Sequence, residues 1–147
     1  MTSFLLLNGP NLNLLGTREP GIYGTATLED IVGEAKAYAA ARGAELADFQ
    51  SNAEGDLINA LHAARGRHEC VILNPGAYTH TSVALMDAIV ATGLPVVEVH
   101  LSNIHARESF RRDSLISPVA VGVIAGFGAF GYLMAIDAGL NHLKAAK

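Results

Sequence analysis

Glu98 and His100 stand two positions apart in the apolar run Pro95–Val99 and its end, so on a strand both side chains leave the same face. A carboxylate beside an imidazole orients the ring and raises its basicity, as a general acid or base requires. A charge pair at a strand end fits the same spacing. Tyr23 lies in an irregular stretch, Gly9–Ala26, together with Arg18 and with Gly16, Pro20, Gly21 and Gly24. A stretch of this length in a small domain suits a lid or binding loop, and its glycines suit a hinge. A nearby guanidinium lowers a phenol's pKa and favours the tyrosinate, although a lone loop tyrosine is ordinarily an amphipathic surface residue. His80 follows Asn74-Pro75-Gly76; its plainer reading is a neighbour of Thr79 or Thr81 acting as a helix N-cap. Arg107, Arg111 and Arg112 form a basic cluster that either attracts an anion or is solvated surface.

Other chemistries are disfavoured by position. The lysines are Lys36, on the polar side of an amphipathic pattern, and Lys144 and Lys147 in the tail, so imine catalysis has no candidate. There are six histidines, but no H-x-x-x-H or H-E-x-x-H spacing, and no metal is expected. The single cysteine, Cys70, forms neither an intramolecular disulfide nor a cysteine metal cluster. A flavin carrier needs a phosphate-cradling loop after the first strand, and Asn8-Gly9-Pro10-Asn11 does not supply one. No cofactor is expected.

These residues must be positioned by alternating strands and helices. Phe4–Leu7 is an all-apolar run ended by Asn8-Gly9-Pro10, as for a strand covered on both faces. Thr27 and Asp30 form a capping-box pattern before Leu28, Ile31, Ala35, Tyr38 and Ala39, and Gly43 ends that helix. Ala44–Gln50 reads as a strand, and Ser51 with Glu54 as the cap of a helix carrying Leu57, Ile58 and Leu61. Cys70–Leu73 is a strand, Ser82–Ala91 a helix, Pro95–Val99 a strand and Ala106–Arg112 a short helix. Val119–Ala125 and Tyr132–Lys144 are the last strand and helix. Five successive βα units call for a parallel sheet with helices on both faces, and the length suits the flavodoxin-like order 2-1-3-4-5. Ligands in such folds sit beyond the carboxyl ends of the strands, near the switch between strands 1 and 3. The residues there are polar: Asn8, Asn11 and Asn13; Asn74, Thr79 and His80; Glu98, His100 and Ser102.

Gly126-Phe-Gly128-Ala-Phe-Gly131 matches G-x-G-x-x-G but follows the last strand, with no further strand and acidic residue about 20 positions on. It reads as glycines that allow close helix–sheet packing. With 147 residues, half of them apolar and 16% charged, the chain is one domain, 1–147, with a real core and no disordered tail. Its apolar runs are short and Gly-interrupted, and no secretory leader is present, so a cytoplasmic protein without a membrane partner is expected. A net charge of −4 and no Lys/Arg block exclude a general nucleic-acid binder. A mean hydropathy of +0.30 hints that some apolar surface is buried in an oligomer.

Four blocks then carry a resemblance. L-N-G-P-N-L-N-L-L-G-x-R-E-P-x-x-Y-G at Leu7–Gly24, I-L-N-P-G-A-Y-T-H-T-S at Ile72–Ser82, V-E-V-H-L-S-N at Val97–Asn103 and F-R-R-x-S-x-I-S-P-V-A-x-G-V-I-x-G at Phe110–Gly126 resemble the type II 3-dehydroquinate dehydratases. One departure is Ala53, where the family's Q-S-N-H-E-G stretch has His. The resemblance implies anti elimination of water from 3-dehydroquinate, through an enolate and without an imine, in the shikimate route or in quinate breakdown. A non-catalytic flavodoxin-like binding module would share the fold without the Tyr/His pair. Tyr23 corresponds to the base, with Arg18 adjacent, and His100 to the acid, held by Glu98. Asn11 corresponds to the residue that places a water against the enolate oxygen. Asn74 with the Leu101 and Ser102 backbone matches the carboxylate and hydroxyl contacts, and His80 and Arg111 match the ring-hydroxyl contacts. Asp87 is implied to act across a subunit boundary, in a homododecamer built as a tetramer of trimers.

Overall fold

A computed structural model of the chain describes residues 1–17, 21 and 25–146. Its five strands are β1 (Thr2–Asn8), β2 (Ala44–Gln50), β3 (Cys70–Asn74), β4 (Val96–His100) and β5 (Gly122–Ala125). All pair in parallel, in the order β2-β1-β3-β4-β5. The α-helices among the described residues are α1 (Leu28–Ala40), α2 (Glu54–Ala64), α3 (Val83–Thr92) and α4 (Phe130–Ala145). This is the expected flavodoxin-like order.

Strand alternation splits the core in two. Phe4, Leu6, Cys70, Ile72, Val97 and Val99 face α1 and α4, meeting Ile31, Ala35, Tyr132 and Ile136. Leu5, Leu7, Val71, Leu73 and Val96 face α2 and α3, meeting Leu57, Leu61, Leu85 and Ile89. Because both faces are covered, β1, β3 and β4 read as continuous apolar runs.

Local signals set the helix starts, with two corrections. Thr27 and Asp30 form the capping box of α1, each side chain bonding the other's backbone N–H at 3.1 Å. Ser51 is not the cap of α2. Its Oγ accepts from Ala53 N and donates to Asp56, closing a turn one step earlier, and Ala53 becomes the N-cap. The cap of α3 is Ser82, whose Oγ accepts from Leu85 N, rather than Thr79 or Thr81. Before it, residues Gly76–His80 form a 3-10 turn.

The link from β4 to β5 has no α-helix. In place of a helix over Ala106–Arg112 it makes two 3-10 turns, Ile104–Ala106 and Ser109–Arg111. Between them Arg107 (φ −100°, ψ −170°) and Glu108 (φ −57°, ψ 150°) are extended, which interrupts the helical hydrogen bonds. A third 3-10 turn, Ser117–Val119, delays β5 to Gly122, later than the expected Val119. The Gly-rich turn then leads into α4: Gly126 and Gly128 take left-handed φ of 97° and 61°, while Gly131 packs on Ile124 and Val99. Backbone conformation thus accounts for Gly126 and Gly128, whereas a Cβ on Gly131 would meet Ile124 and Val99 at an ordinary 3.4 Å, so close helix–sheet packing does not require that glycine.

Candidate active site

The carboxyl ends of β1, β3 and β4 open into a cleft of about 570 Å³, counting its open mouth. Asn11, Asn74, His80, His100, Leu101, Ser102, Arg107 and Arg111 line it. Eight residues that the sequence spreads over a hundred positions therefore meet at the switch point between β1 and β3.

Glu98 and His100 point toward the α2–α3 side of the sheet; His100 lines the cleft floor and Glu98 lies buried behind it. The Glu98 side chain is fully buried, and its Oε2 is hydrogen-bonded to His100 Nε2. Thr79 Oγ1 donates to Oε2 at 2.9 Å, and Ser117 Oγ donates to Oε1 at 2.7 Å. Ser114 Oγ lies 2.9 Å from Oε2 and 3.2 Å from Oε1. Burial alone would push the Glu98 carboxyl up. The hydrogen bonds from His100, Ser117 and Thr79, with the His100 charge, outweigh burial and hold it below its ordinary value. Glu98 therefore stays ionised at neutral pH. With Nε2 committed to Glu98, Nδ1 is the His100 nitrogen left for chemistry.

Asn74 enters from the opposite face. Its Oδ1 accepts from Gly76 N at 3.1 Å, and its Nδ2 donates to the Tyr132 hydroxyl at 3.0 Å. His80 Nδ1 lies 2.7 Å from the Asp113 carbonyl. A carbonyl can only accept, so Nδ1 carries the proton and Nε2 is the free ring nitrogen. Asn11 sits in the left-handed region at φ 69°, a conformation that asparagine tolerates better than most residues. Its N–H donates to Asn52 Oδ1, and Asn52 is held in turn by Gln50 Nε2 and by the Tyr78 hydroxyl.

Arg111 is half-buried at the rim, its Nε 3.1 Å from Glu108, and Arg107 also lines the cleft. Arg112 is exposed and donates from Nε to the Arg107 carbonyl, so the basic cluster divides into two cleft residues and a brace. Asp87 is exposed on α3 and does not line the cleft. Arg18 and Tyr23 lie outside the described residues. Lys36 is away from the cleft, paired with Asp48 at 2.8 Å. Ala53 is at the start of α2, clear of the cleft. Sequence reasoning passed over Ser114, Ser117 and Tyr132. The serines stand in the Phe110–Gly126 block, which is the one signal pointing to them.

Comparison with known proteins agrees with this architecture. The family described as dehydroquinase class II matches residues 2–140. The 3-dehydroquinate dehydratase of Ruegeria pomeroyi is 62% identical over 98% of this chain and 97% of its own length. The catabolic 3-dehydroquinase 2 of Aspergillus flavus is 58% identical over 97% of this chain and 95% of its own. The type II dehydroquinase structure from Butyrivibrio crossotus superposes with a TM-score of 0.93 at 41% identity, covering 95% of this chain and 97% of that one. By profile, relatives and fold, the chain belongs to the class II dehydroquinase family.

Proposed function

We propose that this chain removes water from 3-dehydroquinate to give 3-dehydroshikimate, by anti elimination through an enolate and without a covalent imine. The observation that carries the reading is the ionised, fully buried Glu98 bonded to His100 at the cleft floor. The carboxylate fixes the ring through Nε2, so His100 Nδ1 can deliver a proton to the departing hydroxyl. Tyr23 takes the proton beside the ketone, with Arg18 favouring its tyrosinate. A free phenol, pKa about 10, is only about 0.1% ionised at pH 7, so this asks for about 4 kcal/mol of differential stabilisation. Asn11 places a water donor against the enolate oxygen, where negative charge develops. Asn74, with the Leu101 and Ser102 backbone, holds the substrate carboxylate and a hydroxyl; His80 and Arg111 hold the ring hydroxyls.

The reaction fits the shikimate route to chorismate and the aromatic amino acids, in the cytoplasm. Quinate breakdown by the same step is the second reading, favoured by the catabolic name of the Aspergillus flavus relative. The working assembly is a homododecamer in which Asp87 faces the neighbouring subunit's lid. In support, Val83, Asp87 and Val90 recur at helical spacing on α3, and the two valines are 53% and 63% exposed.

Proton NMR of the chain mixed with 3-dehydroquinate tests the reading. Growth of the product's vinyl resonance with loss of substrate is expected. No vinyl resonance from folded protein would overturn it.

A further inference from the structure

Asn8 and Asn74 are register partners at the ends of β1 and β3, and both point to the α1–α4 side of the sheet. Between their amides lies the hydroxyl of Tyr132, from the first turn of α4. Tyr132 is 1% exposed, one of the largest fully buried side chains. It takes no part in the chemistry proposed above.

The donors and acceptors in this cluster can be arranged in one way. Gly76 N–H can only donate, so the Asn74 atom facing it is the oxygen. The amide nitrogen therefore faces Tyr132, whose hydroxyl must accept from it. The single phenolic proton is then free only for Asn8, 2.6 Å away, and the Asn8 atom receiving it must be the oxygen. Asn8 Nδ2 is left buried with no partner among the described residues, so the oxygen-toward-Tyr132 orientation is kept even at that cost. Burial also holds the Tyr132 phenol above its ordinary value, outweighing the Asn74 contact, so the proton stays on throughout the working pH range.

We propose that Tyr132 is a positioning residue: its hydroxyl fixes the Asn74 amide so that the second Nδ2 hydrogen is presented to an oxygen acceptor of the substrate. Asn74 lines the cleft, and a planar amide held at its oxygen and at one N–H has no rotational freedom left. This rests on the reading that Asn74 meets the substrate. We take that oxygen to be the carboxylate's: although the group sits on the carbon that loses the hydroxyl, its charge is the same before and during elimination, so the contact acts alike in ground and transition states and its loss appears in KM.

The test is steady-state kinetics with 3-dehydroquinate on Tyr132→Phe, Asn74→Ala and the double variant, each checked for native circular dichroism. Tyr132→Phe keeps the ring and removes only the hydroxyl. Its KM is expected to rise by about tenfold or more, the range of one hydrogen bond to a charged oxygen, with a smaller change in kcat. Asn74→Ala is expected to raise KM at least as much, and the double variant to match Asn74→Ala alone, because Tyr132 acts through Asn74. A residue serving stability alone would leave KM in place, and that result overturns the proposal. Multiplicative effects in the double variant would show Tyr132 acting apart from Asn74 and overturn it too. An unchanged KM in Asn74→Ala would instead remove Asn74 from the substrate contacts, and the inference with it. Should Tyr132→Phe fail to fold, Asn8→Ala reads the same relay from its far end by removing the proton's acceptor. A rise in KM supports the relay, and an unchanged KM overturns it.

Discussion

Gly9 lies directly beneath the carbonyl of Pro75: a methyl group on Gly9 would stand 2.4 Å from that oxygen. The contact is reciprocated, for Gly76 is in the left-handed region at φ 60°, and a methyl group there would lie 3.2 Å from Pro10. Asn8-Gly9-Pro10 and Asn74-Pro75-Gly76 thus interlock, each glycine admitting the proline of the other. A bond from Gly9 N to Asn74 O at 2.8 Å closes the joint. Asn11 and Asn74 take their places in the cleft from this joint.

Gly9→Ala should therefore separate the two loops. Overpacking of this kind costs about 1–3 kcal/mol of stability. Urea unfolding is expected to show a lower midpoint, and turnover should fall more than a surface Gly→Ala control such as Gly33→Ala, where a Cβ meets nothing within 4 Å. Equal midpoints and turnover for the two variants would contradict the interlock.

The buried carboxylate makes a prediction about pH. Glu98 is held below its ordinary value of 4.5 in the folded chain, so the unfolded chain binds its proton first as pH falls. Its contribution to stability is complete above about pH 4.5 and is lost as pH falls through the lowered folded value. Urea midpoints measured from neutral pH down to about pH 3 should drop less steeply for Glu98→Gln than for the unaltered chain. Identical acid slopes would show that Glu98 is not held as described.

Much of this arrangement could be read from neighbouring residues alone. The capping box of Thr27 and Asp30, the alternation that puts Glu98 and His100 on one face, and the strand order all rest on local pattern and chain length. The Glu98 shell does not. Thr79, Ser114 and Ser117 reach it from 16 to 19 positions away, and hydroxyls in loops carry no periodicity. Tyr132 bonds Asn74 and Asn8 across 58 and 124 positions, a contact visible only once α4 packs on the sheet. The helix expected over Ala106–Arg112 failed because Arg107 and Glu108 adopt extended angles, in a segment bound to the cleft rather than to a helix ladder.

Imine chemistry is absent from the proposed route, and a trapping experiment checks it. Borohydride added during turnover should leave activity and protein mass unchanged, since none of the described cleft residues is a lysine. A mass increase equal to reduced substrate on Lys36, Lys144 or Lys147 would contradict the mechanism.

Asp87 offers a test of the assembly. Asp87→Ala is expected to keep the circular dichroism of the unaltered chain, while its sedimenting species shift to smaller size and turnover falls. Normal assembly together with normal turnover would make Asp87 an ordinary exposed helix residue.

The most direct measurement is the ultraviolet absorbance of the conjugated enone formed from 3-dehydroquinate, followed side by side for the unaltered chain, Tyr23→Phe and His100→Ala. The unaltered chain should give a steady rise. Each variant should be slower by about 10²–10⁴-fold, the loss expected when a general acid or base is removed. A flat trace from the folded, unaltered chain, or an undiminished rise from either variant, would contradict the account.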